Sequence, residues 1–241
     1  MTTEARIRGH ERDPKLIIVT PVRSAELLAA DVKFGYARAL LQVSRDLPWV
    51  AVMPYNTDVV RGRNRAVAKI LSDHPTATHA LHWDDDCWPE DIGVIPRMMA
   101  LGVDVVGAAY TNKMQPLRWV HWRHPEEEVD ERGLLRVRGV GMGFTLTSVR
   151  CLRRLSTLAR QYTDYPAKTR CADVFGMLYD VGEDPEDRDS DSLLSEDFSF
   201  CKRWSDLGEP LYVWNQAIIH HAGQHAWSAK EMVNGTVRQA P

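Results

Sequence analysis

The chain has 241 residues, 44% hydrophobic and 26% charged, a balance that suits a folded domain and argues against a disordered chain. A formal net charge of -3 supplies no global basic field for nucleic acid or anionic lipid, although arginines can still cluster locally. The four cysteines, Cys87, Cys151, Cys171 and Cys201, form no CxxC pair and read as reduced, packed thiols. The first residues lack an apolar signal core, and no apolar run reaches the roughly 18 residues of a membrane span. A cytoplasmic location without a membrane span is the expectation.

Leu16–Thr20 is a continuous apolar run closed by Pro21, which predicts a buried parallel strand ending at a loop. A helix is predicted from Ala25 to about Asp46, a second strand over Trp49–Met53, and a helix from Val59 to about Ser72 with Val60, Val67 and Leu71 on one stripe. Ala77–Trp83 reads as a third strand, which runs straight into Asp84, Asp85 and Asp86. Pro89 suits the first turn of a following helix with Glu90 and Asp91 near its positive end, and Pro96 is placed to kink it. Val103–Tyr110 is a fourth strand. Strands alternating with helices predict a parallel sheet covered on both faces, with ligands beyond the carboxyl ends of its strands. The second half differs. Leu117–Trp122 and Leu134–Val140 suggest antiparallel strands, and Gly139, Gly141 and Gly143 punctuate the approach to a further strand and a helix from Ser148. The stretch 181–192 holds six acidic residues and one arginine and reads as a solvated loop. A helix from about Ser195 and two short strands, LYVW and AIIHH, follow. No linker divides the chain, so a single domain is expected over 1–241. Its two halves are about 15–110 and about 111–223, and 224–241 is a tail.

Four clusters carry chemistry. Consecutive carboxylates after an apolar strand repel one another, and a divalent cation shared with phosphates relieves that repulsion; a solvated loop with an aspartate helix cap is the plainer alternative. Glu196 and Asp197 fall in the first turn of a helix that Ser195 could cap, where they either stabilise the helix dipole or supply a general base. His220 and His221 close a strand whose alternation sends them to opposite faces, so at most one serves a site. Arg61, Arg65 and Lys69 recur every four residues and read as a solvated basic face. Asn64 falls on the apolar stripe of the same helix, where its amide needs either a partner near a strand end or a ligand.

The order LIIVTPVR, RGRNRAVAKIL, HALHWDDDCWPEDI, VDVVGAAYTNK, GVGMGFTLTSVRCL, SEDFSFCKRWSDLG and IIHHAG resembles the GT-A glycosyltransferases of the family-2-like kind, particularly small bacterial and phage members. The resemblance spans about Leu16–Gly223. It implies a Rossmann-like, mostly parallel central sheet flanked by helices, with a smaller antiparallel acceptor-side portion and a nucleotide-sugar donor, UDP-linked in the first instance. Thr20, Pro21 and Arg23 would border the nucleoside, with Arg63 and Asn64 nearby. Asp84-x-Asp86 matches the DxD motif: Asp84 and Asp86, with His221, would hold Mn²⁺ or Mg²⁺, and Asp84 and Asp85 would face the donor. Because Asp85 is itself acidic, which pair holds the metal stays open, as does His220 against His221. Glu196-Asp197 matches the ED pair, whose aspartate is the acceptor base in inverting members. Gly141, Gly143, Trp119 and Trp122 fall on the acceptor side, where Arg118–His124 interleave basic and aromatic residues able to stack on sugars or bases. The acceptor is a glycan, a protein or a modified DNA base. The alternatives are a sugar-nucleotidyltransferase, disfavoured by the lack of a Gly-rich triphosphate loop near the first strand, and a non-catalytic nucleotide- or glycan-binding module.

Overall fold

A computed structural model describes residues 14–21, 30–113, 117–123, 127–165, 168–180, 192–222 and 226–228. The first half builds β1 (Leu16–Pro21), α1 (Ala30–Asp46), β2 (Val50–Tyr55), α2 (Val59–Asp73), β3 (His79–Trp83), β4 (Cys87–Pro89), α3 (Val94–Ala100) and β5 (Val105–Ala108). The second half adds β6 (His121–Arg123), β7 (Leu134–Val140), β8 (Phe144–Ser148), α4 (Val149–Leu158), β9 (Gln161–Asp164), β10 (Thr169–Ala172), β11 (Tyr179–Asp180), β12 (Ser192–Leu193), α5 (Glu196–Ser205), β13 (Leu211–Trp214), β14 (Ile219–Ala222) and β15 (Ala226–Ser228). The predicted start of α1 at Ala25 and the acidic stretch over 181–191 lie outside the described residues. Among the described residues, no helix is long and apolar enough to cross a membrane.

Eight strands form one mixed sheet in the order β2-β1-β3-β8-β5-β13-β7-β6. β2, β1, β3, β5, β13 and β6 run one way, and β8 and β7 run the other. The chain moves outward from β1 to β2 and then back past β1 to β3. Right-handed crossovers in opposite directions put their helices on opposite faces, so α1 and α2 cover different sides. Alternate residues of β1 divide between the two cores accordingly. Ile17 and Val19 pack with α2, α4 and α5, while Leu16 and Ile18 pack with α1 and α3.

Two features depart from the sequence expectations. The fourth predicted strand, β5, does not pair with β3: antiparallel β8 lies between them. The alternation in FTLTS suits that central place, because Phe144 and Leu146 enter one core while Thr145 and Thr147 are fully buried on the other face. The Thr145 hydroxyl donates to Gly141 O (2.8 Å) and that of Thr147 to Ala80 O (3.3 Å), so neither is buried unsatisfied. Pro89 does not open a helix. It ends β4, paired with Ile219, and α3 starts at Val94. Pro96 is then the third helical residue, where no intrahelical bond needs its missing N–H, so it has no partner to lose and no kink to cause.

Candidate functional site

Strand order reverses direction at β1, and in open α/β sheets ligands sit in the crevice at such a point, here beyond the carboxyl ends of β1 and β3. β3 delivers Asp84–Asp86 there, and the antiparallel pairing of β14 with β4 sets His221 opposite Cys87.

Asp84 and Glu196, 112 positions apart in sequence, are joined by Arg63 of α2. Its Nη2 donates to Asp84 Oδ1 (3.1 Å) and its Nη1 to Glu196 Oε1 (2.7 Å). Arg63 is 2% exposed. Burial works against its charge, but Asp84, Tyr55, Glu196 and Asp197 more than offset that, and its pKa rises. Glu196 feels the opposite balance, with burial pushing its carboxyl up and Arg63 pulling it back. Asp197, half-buried, has Oδ1 held by the Ser195 hydroxyl and by the Phe198 N–H (2.9 Å). Ser195 therefore occupies the N-cap position without capping through its side chain; its hydroxyl is spent on Asp197.

Asp86 is 1% exposed and forms an ion pair with Lys113. His221 Nε2 lies 3.7 Å from Asp86 Oδ1, and His221 Nδ1 lies 2.6 Å from Thr111 O. A carbonyl only accepts, so Nδ1 carries the proton and Nε2 turns a lone pair toward the carboxylate. Burial lowers the His221 pKa, which keeps the ring neutral near pH 7, so this contact is not an ion pair. Ligand atoms of Asp86, Cys87 and His221 lie within 4.8 Å of one another, close enough to hold one metal ion. Buried hard oxygen and imidazole nitrogen atoms facing one another, with the imidazole tautomer fixed from behind, fit a divalent cation. Cys87 fits less well, because burial pushes its thiol well above the ordinary range and metal binding needs the thiolate.

Of the predicted metal set, Asp86 and His221 come together with Cys87, while Asp84 lies outside that group with its Oδ1 on Arg63. His220 stacks on Trp88 (5.4 Å), so of the two histidines it is His221 that lies beside Asp86. On the donor side, Thr20 is 2% exposed with its hydroxyl hydrogen-bonded to Tyr36 (2.5 Å), so it braces α1 against β1 rather than presenting to the crevice. Pro21 is buried in register with Tyr55, Asp85 is 7% exposed, and Arg23 lies outside the described residues. Asn64 is fully buried and satisfied internally. Its amide donates to Tyr162 OH (3.2 Å) and Asp173 Oδ1 (3.1 Å) and accepts from Phe175 N (3.0 Å), so it pins the segment after β10 and does not line the crevice. Arg61 and Arg65 are not a merely solvated face either, since both pair with the buried carboxylate of Asp164 in β9.

Gly141 and Gly143 also change role. A Cβ on either would meet the Tyr110 hydroxyl, at 2.4 Å and 2.8 Å, and the Gly143 N–H donates to that oxygen (2.9 Å). Tyr110 in turn sets its ring edge-on to His221 (5.1 Å). These glycines make room for the Tyr110 ring, which packs against His221. Trp119 is half-buried against the core, tilted on His121 (5.9 Å). Trp122 is 44% exposed and stacks on Phe198 at 4.0 Å, one residue from Asp197. Lys113, Thr111 and Tyr110 had no role in the sequence reading. Their signal was position, since they directly follow β5, whose carboxyl end shares the edge with that of β3.

No protein-family model matches this sequence, and no curated protein matches it. Among solved structures, the chain is similar to protein A197 from STIV, with a TM-score of 0.50 and 16% identity over 86% of this chain and 85% of that one. At that identity the likeness concerns the fold alone.

Proposed function

We propose that this chain is a metal-dependent glycosyltransferase of the GT-A type that moves a sugar from a nucleotide-sugar donor to an acceptor hydroxyl with inversion. The observation that carries the reading is Arg63, which ties the carboxylates after β3 to the Glu196-Asp197 pair at the start of α5. Asp84, from the block resembling a donor motif, and Glu196, from the pair resembling a catalytic base, thus meet on one side chain, and Asp86, two residues on from Asp84, faces His221.

Asp86 and His221 would hold the cation, which would supply positive charge to offset that developing on the departing diphosphate. Asp197 accepts the acceptor's hydroxyl proton as the acceptor oxygen bonds to the anomeric carbon and the bond from that carbon to the diphosphate oxygen breaks. Two hydrogen bonds to its Oδ1 fix the carboxylate's direction, which is what a general base requires. Arg63 orients Glu196 and Asp84 through its two hydrogen bonds. The Trp122–Phe198 stack offers an exposed aromatic face beside the base, a surface suited to a sugar ring or a nucleobase. The acceptor is thus a glycan, a protein or a modified DNA base.

A panel of nucleotide sugars, screened by thermal shift with Mn²⁺ or Mg²⁺ and followed by product analysis, tests the reading. One donor should raise the melting temperature only with a divalent cation, and that donor should release nucleoside diphosphate. Release of pyrophosphate from a nucleoside triphosphate would assign a nucleotidyltransferase instead, and binding without turnover across acceptor classes would leave a binding module.

A further inference from the structure

We infer that Lys113 is the resident counter-ion of the metal position: its ammonium holds Asp86 in the free protein, yields to a divalent cation, and then binds the donor's diphosphate. The inference rests on the proposed metal and donor reading and extends it to Lys113, to which the resemblance gives no role.

Three observations carry it. Asp86 is 1% exposed, and a carboxylate so buried stays ionised only beside a positive group, which Lys113 provides by direct contact. With Nδ1 donating to Thr111 O, the neutral His221 imidazole sets its Nε2 lone pair toward the same carboxylate at 3.7 Å. Two electron-rich atoms facing each other repel, and the nearby Lys113 charge relieves that repulsion as a divalent ion would, with less charge and no coordination geometry. Lastly, the Lys113 side chain is 33% exposed, so its head is not sealed in and can leave on its flexible four-carbon stem.

The exchange has an electrostatic logic. A divalent cation brought to Asp86 and His221 repels the ammonium, and a diphosphate bound to that cation attracts it. A lysine freed beside the metal position therefore gains an anionic partner only when the donor is present. This couples the two ligands: metal alone must displace Lys113 without compensation, whereas metal with diphosphate gives Lys113 somewhere to go.

The test is Mn²⁺ titration by calorimetry without nucleotide, followed by uridine diphosphate titration at saturating Mn²⁺, on wild type, Lys113→Met and Lys113→Gln. Removing the competing ammonium should tighten Mn²⁺ binding about tenfold or more, while uridine diphosphate binding should weaken about tenfold. Opposite signs are the signature, because general damage weakens both. Lys113→Gln, polar and of similar length, guards against a folding defect in Lys113→Met and should show the same pair of changes. Unchanged or weaker Mn²⁺ binding in both variants, with wild type binding normally, overturns the role of Lys113 alone. No Mn²⁺ binding by wild type or either variant at millimolar concentration overturns the metal reading itself, and the inference with it.

Discussion

Replacing Arg63 by Met removes a side chain that joins Asp84 to Glu196, and the consequence can be sized. Arg63 is 2% exposed, and its two charge-assisted hydrogen bonds measure 2.7 Å and 3.1 Å. Removing one partner of a buried ion pair costs about 3–5 kcal/mol, because the remaining charge stays buried and uncompensated. The Asp84 and Glu196 side chains keep 21% and 15% exposure, so water recovers part of that cost and the lower end, about 3 kcal/mol, applies. For a domain of this size each kcal/mol is worth about 2–4 °C, so Arg63→Met should melt roughly 6–12 °C below wild type at pH 7.5. The pH dependence has a definite sign. The Glu196 carboxyl is already raised by burial, and losing Arg63 raises it further. The penalty of its ionised form is present above its folded pKa and is relieved as pH falls through it. Differential scanning calorimetry of both proteins at pH 7.5 and pH 5 should therefore show a gap that narrows in acid. A gap under about 2 °C at pH 7.5, or one that does not narrow, would refute the view that Arg63 compensates these carboxylates.

His82 is 1% exposed with no hydrogen-bond partner at either ring nitrogen among the described residues, and burial, reinforced by Arg63, pushes its pKa down to about 3. Its neutral form stabilises the fold fully above the unfolded value of about 6.5, and that contribution is lost as pH falls from there toward 3. His82→Phe should flatten the acid limb of a stability-versus-pH curve by up to about 1.4 kcal/mol per pH unit, measured by urea unfolding; parallel limbs would contradict this. Asn64→Ala should cost about 3 kcal/mol, because it strands Phe175 N, Tyr162 OH and Asp173 inside the fold, while donor binding measured above the unfolding range stays within twofold. A selective loss of donor binding would return Asn64 to the crevice. Asp197→Asn should bind donor normally and lose about 10²–10⁴-fold in transfer rate, because an amide keeps the shape but takes no proton. Near-wild-type turnover would remove Asp197 as the base.

Local pattern carried most of the first half of the fold. LIIVT, HALHW and the stripe Val60, Val67, Leu71 had only one economical arrangement, and β1, β3 and α2 follow it. Long-range pairing was not legible. FTLTS reads as a strand, but nothing local says that it inserts antiparallel between β3 and β5. Arg61 and Arg65 looked solvated because Asp164, which they bind, lies about a hundred residues away. Within the site, charge repulsion marked Asp84–Asp86 and strand alternation separated His220 from His221. Neither signal could reveal that Asp84 would pair with Arg63, or that Lys113 would reach Asp86. Those contacts depend on three elements meeting at one edge, which is a property of topology rather than of any window of sequence. Gly141 and Gly143 were visible as unusual, and their reason, the Tyr110 hydroxyl, was not.

The central claim is that Asp86 and His221 form a divalent-cation site serving a nucleoside diphosphate. Titrating uridine diphosphate into wild type, Asp86→Asn and His221→Ala, each with Mn²⁺ and with excess chelator, tests it most directly. The account predicts binding in wild type that is at least about tenfold tighter with Mn²⁺, and a Mn²⁺ effect that disappears in both variants while their folds persist by circular dichroism. Equal affinity with and without Mn²⁺ in wild type, or an undiminished Mn²⁺ effect in both variants, would contradict it.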